Sequence, residues 1–268
     1  MILKKFRDMV ADSIFRERNI CFLCGEYNPF IEKNLCGRCR DRYSLIDSDI
    51  CRICGRKIKV HEEGRDFRCC ECIGNKNHCD GGISAFEYRG GIKNLIADFK
   101  YREKLYLKDF FAEEMVSVLE KRAGMHSVCD YYEISISGVS EGISGQMDKI
   151  DFIVPVPMER KRKKKRGYNQ AEILAGRVSA FTGLPLENNM LIRKEALKSQ
   201  KSLGRIERQI NIRNTVEVSQ NSFPEGRTVL LVDDVYTTGA TVDECARALK
   251  EKGAGTVYFL TAASTVYM

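Results

Sequence analysis

The stretch Val229-Leu-Leu-Val-Asp-Asp-Val-Tyr-Thr-Thr-Gly-Ala-Thr241 decides how this 268-residue chain is read. The aliphatic run from Thr228 to Val232 has the length and composition of a buried strand. The strand is expected to end at Asp233-Asp234, after which a Thr/Gly loop opens a helix over Thr241–Lys252 that Gly253 terminates. A loop feeding a helix N-terminus aims backbone N–H groups at one point, where the helix dipole also favours an anion. Thr237, Thr238 and Thr241 add hydroxyl donors, and Gly239 lets the backbone come close. The array reads as a phosphate cradle. Asp233 and Asp234 would repel a phosphate, so they should face neutral hydroxyls or a magnesium ion. A ligand with a phosphate at one end and a ribose diol at the other satisfies both halves. A capped helix after an acidic strand end would account for the threonines but not for the whole array. Neither GxxxxGK[ST] nor GxGxxG occurs, which argues against a P-loop nucleotidase or a standard dinucleotide site.

The flanking sequence supplies the remaining elements of an α/β unit. Asp151-Phe-Ile-Val-Pro-Val-Pro157 reads as a second buried strand ended by prolines, and Thr256–Thr261 as a third. Ala171–Phe181 reads as a helix closed by Gly183-Leu-Pro185. Ile92, Leu95, Ile96 and Phe99 share one helical face; Phe110, Phe111, Met115, Val118 and Leu119 share another. Strands alternating with helices predict a parallel sheet covered on both faces, with ligands at the C-terminal ends of the strands. The Ser- and Gly-rich stretch at about 127–147 reads as an exposed insertion.

Charge is uneven. The net charge is +7, yet residues 151–215 alone carry 15 Lys and Arg against 6 Asp and Glu. The peak is Arg160–Arg166, seven cations in a row, which reads as a solvated loop able to attract phosphates of a small ligand or of nucleic acid. A membrane-spanning helix needs about 20 apolar residues, and no run approaches that length. Lys4, Lys5, Arg7, Asp8, Asp12, Arg16, Glu17 and Arg18 leave no apolar signal core in the first twenty residues, so a cytoplasmic location is expected.

Ten of the twelve cysteines fall between Cys21 and Cys79, in a chain read as inhabiting a reducing compartment, which favours metal over disulfides. Cys21, Cys24, Cys36 and Cys39 form two C-x-x-C knuckles; Cys51, Cys54, Cys69 and Cys72 form two more. Two knuckles make a closed four-thiolate tetrahedron, so two structural zinc ions are expected. Sequential pairing is the simplest arrangement and a crossed one remains open. Cys70, Cys79, His61 and His78 are spare potential ligands. A redox reading of the knuckles is weak, since no strand–helix pattern surrounds them. Leu3, Phe6, Val10 and Ile14 repeat at helical spacing. The expected organisation is therefore an amphipathic helix at 1–20, a double zinc ribbon at 21–82 and an α/β domain at 83–268.

The Asp233–Thr241 segment resembles the phosphoribosyl diphosphate (PRPP) motif of type I phosphoribosyltransferases. The whole chain resembles the ComF family, in which a double zinc ribbon precedes such a domain. The likeness includes Asp98-Phe-Lys100-Tyr101, Pro155-Val-Pro157, Arg166-Gly-Tyr-Asn-Gln170, Arg193, Ser199-Gln200, Arg208 and Asn211. It implies that Asp233 and Asp234 hold the ribose hydroxyls. Thr237, Thr238, Gly239, Ala240 and Thr241 then hold the 5′-phosphate. The Val156–Arg160 turn becomes the pyrophosphate loop. Lys198, Gln200 and Arg205 help bind pyrophosphate from a lid flanked by Arg193 and Arg208. It further implies magnesium bound with PRPP, displacement of pyrophosphate at the anomeric carbon by an unidentified acceptor, and a link to DNA uptake during natural transformation, through other uptake proteins. The alternative is a non-catalytic PRPP sensor that binds single-stranded DNA through Arg160–Arg166.

Overall fold

The protein is described here by a computed structural model covering residues 19–29, 31, 34–42, 45–46, 50–58, 68–74, 77–123, 150–194, 212–220 and 224–265. The expectations for the 1–20 helix, the 127–147 insertion, His61, Lys198, Gln200, Arg205, Arg208 and Asn211 lie wholly or largely outside these residues. In chain order the elements begin with α1 (Gly37–Arg42), α2 (Cys70–Gly74), β1 (Gly81–Glu87), α3 (Gly90–Tyr101), α4 (Leu107–Ala123) and β2 (Phe152–Pro155). They continue with α5 (Arg160–Arg166), α6 (Gln170–Thr182), β3 (Leu191–Arg193), β4 (Val216–Val218), β5 (Thr228–Tyr236), α7 (Ala240–Glu251) and β6 (Thr256–Ser264).

Four strands form a parallel sheet in the order β1-β6-β5-β2, with Val229 opposite both Phe152 and Val257 at one end of β5. Each parallel pair needs a crossover, and the helices that provide it cover both faces. On the first face Leu230, Val232 and Leu260 meet Ile96, Phe99, Phe110, Phe111, Met115 and Leu174 from α3, α4 and α6. Phe86, Phe99, Phe110 and Phe111 are all fully buried, each contributing about 1.5–3 kcal/mol by leaving water. On the second face Val229, Leu231, Val257 and Phe259 meet Val242, Cys245, Ala246 and Leu249 of α7. The antiparallel pair β3–β4 joins this second layer, where Glu244 of α7 accepts from the Val216 N–H.

Two expectations need correction. The central strand does not stop at Asp233-Asp234 but continues to Tyr236. What changes at the acidic pair is the side-chain alternation. Leu230, Val232 and Val235 face the first core, whereas Val229, Leu231 and Tyr236 face the second. A strand keeps a period of two unless its backbone is locally reset, and here the reset falls on the two aspartates. The second correction concerns Arg160–Arg166, which form helix α5 rather than a loop; none of the seven is buried, and Gly167 ends the helix at φ 90°.

The cysteine module straddles the sheet at its β1 side. The first cluster packs into the first core, where Phe22 sits edge-on to Tyr106 and Phe110 at 5.4 and 5.9 Å. The second cluster packs into the other core, alongside α7. The knuckle at Gly55 lies so close to β1 that a Cβ there would be 2.4 Å from the Gly82 carbonyl oxygen.

Candidate functional site

The two cysteine sets assemble in sequential pairing. Cys21, Cys24, Cys36 and Cys39 converge in one group, Cys51, Cys54, Cys69 and Cys72 in the other, with all sulfurs of a group within 4.8 Å of one another. The crossed pairing does not occur. Cys24 Sγ is 3.9 Å from Cys36 Sγ and Cys54 Sγ is 3.7 Å from Cys69 Sγ. A disulfide needs about 2.05 Å, whereas the edge of a tetrahedron with zinc–sulfur bonds of about 2.3 Å is roughly 3.8 Å. The donor set and its spacing therefore fit a closed, structural zinc site in each group. Cys70 is exposed and Cys79 is buried against the Val242 carbonyl, and neither belongs to a cluster. His78 pairs with Asp243 instead of joining a metal group.

The clusters are two copies of one design. In both, the glycine after the first knuckle has a left-handed backbone, Gly25 at φ 73° and Gly55 at φ 65°. In both, that glycine donates to the first cysteine's carbonyl at 2.8 Å, and the first cysteine donates to the residue after the glycine. The bridges Ile20–Tyr27 and Ile50–Lys57 close the two copies alike. An ion pair then joins the knuckles of each copy, Glu26–Arg38 in the first and Arg56–Glu71 in the second.

At the C-terminal end of β5, Asp233 accepts from the Asp234 N–H at 2.8 Å, and Asp234 Oδ1 lies 2.6 Å from Lys100 Nζ. Burial, with the Asp234 charge second, raises the Asp233 carboxyl to about 7; Lys100 pulls the other way. Burial alone would lower the Lys100 pKa, but Asp234 and Asp233 reverse this and the net shift is upward. Lys100 closes the Asp98–Tyr101 motif at the end of α3, a motif that carried no assigned role in the sequence. Nothing in its spacing reveals that α3 ends over the acidic pair.

The loop Thr237–Gly239 follows. Gly239 has φ 78° and caps α7, and Thr238 Oγ1 accepts from the Ala240 N–H at 3.4 Å. The steric need for glycine comes from behind the loop: a Cβ at Gly239 would meet Tyr236 Oη at 2.2 Å. Tyr236 in turn stacks flat on Phe259, 4.7 Å between centroids. A cavity of about 400 Å³ opens between the second cluster and α7, lined by His78, Thr238, Gly239, Asp243 and Arg247 among others but not by the acidic pair.

Across from the loop, β2 ends at Pro155 and the Val156–Arg160 turn begins. The Val156 N–H donates to Val232 at 2.9 Å and its carbonyl accepts from Asn169 Nδ2 at 3.0 Å, so this turn is tied to both β5 and α6. Glu159 pairs with Arg162 at 3.2 Å, and Arg193 Nε lies 3.9 Å from Glu159. Arg160 is exposed at the start of α5. The Arg193 side chain is only 7% exposed, yet its Nε and Nη2 make no hydrogen bond among the described residues. Tyr168 is not a free ring: its hydroxyl donates to the Phe99 carbonyl at 2.7 Å.

A parallel sheet with an acidic pair and a glycine-capped loop at a strand end defines a phosphoribosyltransferase-type domain, and residues 148–265 match the family model described as "Phosphoribosyl transferase domain". Two four-cysteine clusters stand ahead of that domain, and the chain is similar to proteins named for competence and DNA use. It is 27% identical to Competence protein F of Haemophilus influenzae over 202 residues, 75% of this chain and 78% of that protein. It is 27% identical to Competence protein ComFC of Bacillus subtilis over 205 residues, 75% of this chain and 71% of that protein. A stretch of 108 residues is 34% identical to DNA utilization protein YhgH of Escherichia coli K12, covering 40% of this chain and 46% of that protein. Among the described residues, no helix is long and apolar enough to cross a membrane.

Proposed function

We propose that the chain binds PRPP with magnesium at the Asp233–Thr241 end of β5 and transfers phosphoribose to an acceptor, releasing pyrophosphate. The observation that carries this reading is the junction of half-buried Asp233 and Asp234 with a left-handed Gly239 and the open N-terminus of α7. Hydroxyls of a ribose suit the carboxylates, and a 5′-phosphate suits the N–H groups of Thr238 to Thr241. The pyrophosphate then lies towards the Val156–Arg160 turn, where Arg193 holds buried, unmatched donors among the described residues. Magnesium, when bound with PRPP, neutralises the leaving pyrophosphate. The residues of this chain do the rest: the aspartates orient the ribose, the loop anchors its phosphate, and positioning lowers the barrier. Lys198, Gln200 and Arg205 are proposed to help bind the pyrophosphate. The test is calorimetry of PRPP with magnesium, followed by a screen for pyrophosphate release over candidate acceptors. Absence of PRPP binding sinks the reading; binding without any release above hydrolysis leaves a PRPP sensor.

The names of the relatives point to competence and DNA use, and helix α5 favours a second activity for the same chain. Helix α5 carries seven cations and no buried residue, and its exposed members such as Lys164 and Lys165 suit phosphates of single-stranded DNA. A cytoplasmic location and association with other DNA-uptake proteins complete this proposal.

A further inference from the structure

The ion pairs that join the knuckles occupy equivalent places in the two clusters but have opposite polarity. In the first, the acid follows the glycine (Cys24-Gly25-Glu26) and the base lies between the later cysteines (Arg38). In the second, the base follows the glycine (Cys54-Gly55-Arg56) and the acid lies between the later cysteines (Glu71). The first pair is exposed, 70% for Arg38 and 64% for Glu26. The second is buried, with the Arg56 side chain 4% exposed. A pair that merely braces two knuckles works in either polarity. Only the second polarity puts a guanidinium where it reaches beyond the module.

Arg56 does reach beyond it. Its guanidinium lies over the Tyr236 ring at 4.8 Å from the centroid, and Nη2 donates to the Thr237 carbonyl. That carbonyl also accepts from Thr265 Oγ1 at 3.1 Å. In a trans peptide the N–H points opposite to the C=O. Two donors fixing the Thr237 carbonyl on the module side thus turn the Thr238 N–H away from the module. The ring beneath Arg56 is the one whose hydroxyl lies behind Gly239. The same segment of chain holds the first turn of α7: the His78 N–H donates to Asp243 Oδ1 at 2.6 Å, and His78 Nδ1 lies 2.9 Å from Asp243 Oδ2. The first cluster, on the opposite face, packs on α4 through Phe22.

We infer that Arg56 is a positioning residue for the phosphate loop, and that the second cysteine cluster, not the first, sets the loop's shape. Metal held at Cys51, Cys54, Cys69 and Cys72 fixes the knuckle that carries Arg56, so loading of that cluster and PRPP binding favour one another. The coupling is reciprocal: PRPP tightens metal binding at the second cluster and leaves the first unaffected. The PRPP half of this inference rests on the function proposed above; the loop half does not.

The test uses full-length, zinc-loaded protein carrying Arg56→Met, Arg56→Lys or, as the control at the equivalent ion pair, Arg38→Met. Amide hydrogen exchange over 237–241 is measured without PRPP, and PRPP–magnesium affinity by calorimetry. Arg56→Met is expected to speed exchange in the loop and weaken PRPP by about ten-fold or more, the loss of one charge-assisted hydrogen bond. Its zinc content and its exchange in β6 should match wild type. Arg56→Lys restores part of the effect, since an ammonium keeps the charge but lacks the planar fork that spans Glu71 and Thr237. Arg38→Met changes neither reading. If Arg56→Met loses zinc, Glu71→Gln replaces it, with a smaller effect in the same direction expected. Wild-type loop exchange in a zinc-loaded Arg56→Met or Glu71→Gln protein overturns the inference, as does an equal effect of Arg38→Met. Failure of wild type to bind PRPP overturns the PRPP reading, while loop exchange still decides whether Arg56 holds the loop.

Discussion

Lys100 Nζ sits 2.6 Å from Asp234 Oδ1, with the two side chains only 18% and 14% exposed. The lysine is thus the internal counter-charge of an acidic pair whose members cannot both ionise cheaply next to each other. Replacing Lys100 with Met removes one partner of a largely buried ion pair, a change that costs about 3 kcal/mol where both groups are charged. The loss should be larger at pH about 8 than at pH about 5, where Asp233 holds its proton and leaves less negative charge for Lys100 to balance. Urea unfolding at the two pH values measures it. Equal losses at both would show that ionisation of Asp233 adds nothing to what Lys100 balances.

Burial, joined by the Asp234 charge, lifts the Asp233 carboxyl from 3.8 to about 7. The folded chain therefore holds this proton more tightly than the unfolded chain. The contribution of the group to stability is full below the unfolded value and is lost as pH rises towards the folded one. Without PRPP, the gap in melting temperature between Asp233→Asn and wild type should widen in favour of the variant as pH goes from about 5 to about 8. PRPP affinity should move the other way in wild type, rising through pH about 7 as Asp233 ionises and can accept from ribose hydroxyls. A pH-independent gap between the two proteins would contradict the shift.

Zinc should leave the two clusters at different rates. Cys24 is exposed, whereas all four cysteines of the second cluster are buried. Metal analysis of the purified chain is expected to give about two zinc ions, one for each four-thiolate site. A chelator should then remove one in a fast phase and one in a slow phase. Cys54→Ser should abolish the slow phase and Cys24→Ser the fast one. A single phase for both ions would mean that exposure of Cys24 does not control release.

Gly239 is constrained twice, by φ 78° and by Tyr236 Oη 2.2 Å from where a Cβ would lie. A left-handed backbone at a non-glycine residue costs of order 1–3 kcal/mol, and the clash adds to it. Gly239→Ala should therefore destabilise the domain and abolish PRPP binding together. Adding Tyr236→Phe removes the hydroxyl but not the strain, so the double variant should recover part of the stability. No recovery would place the cost in the backbone and in the ring carbons, of which Cζ would lie 2.6 Å from the added Cβ.

The cysteine spacing and the β5–loop–α7 segment were legible because each rests on local rules: knuckle geometry, a buried apolar run, a glycine before a helix. What was not legible depends on distant contacts. Gly81-Gly82 opens β1, against strand propensity, because a Cβ at Gly82 would run into the Phe259 ring and one at Gly81 would press on Tyr258 and the Arg52 carbonyl. β3 and β4 have three residues each, too short to show a period. The run of seven cations favours extension by repulsion, yet it folds as α5, where Lys163 pairs with Glu172 and Arg166 lies over the Tyr101 ring. Arg56 looks like filler after a knuckle glycine; its reach to Thr237, 181 residues away, exists only in the fold.

The form taken by α5 changes what a DNA-binding test should target. As a loop, the whole run could wrap a strand, with Tyr168 stacking on a base. As a helix, Lys164 and Lys165 are exposed, Lys163 is turned to Glu172, and the Tyr168 hydroxyl is fixed to Phe99. Single-strand binding, followed by fluorescence anisotropy, should weaken with salt by a slope of roughly 0.7 per phosphate contact. Replacing Lys164 and Lys165 together should lower that slope by about 1.4 if each meets one phosphate. Tyr168→Phe should instead leave affinity unchanged and lower the melting temperature, because it deletes a hydrogen bond inside the fold rather than a stacking surface. A drop in affinity for Tyr168→Leu, which removes the ring, beyond any for Tyr168→Phe would restore the stacking role, and no binding at low salt would remove α5 as a nucleic-acid track.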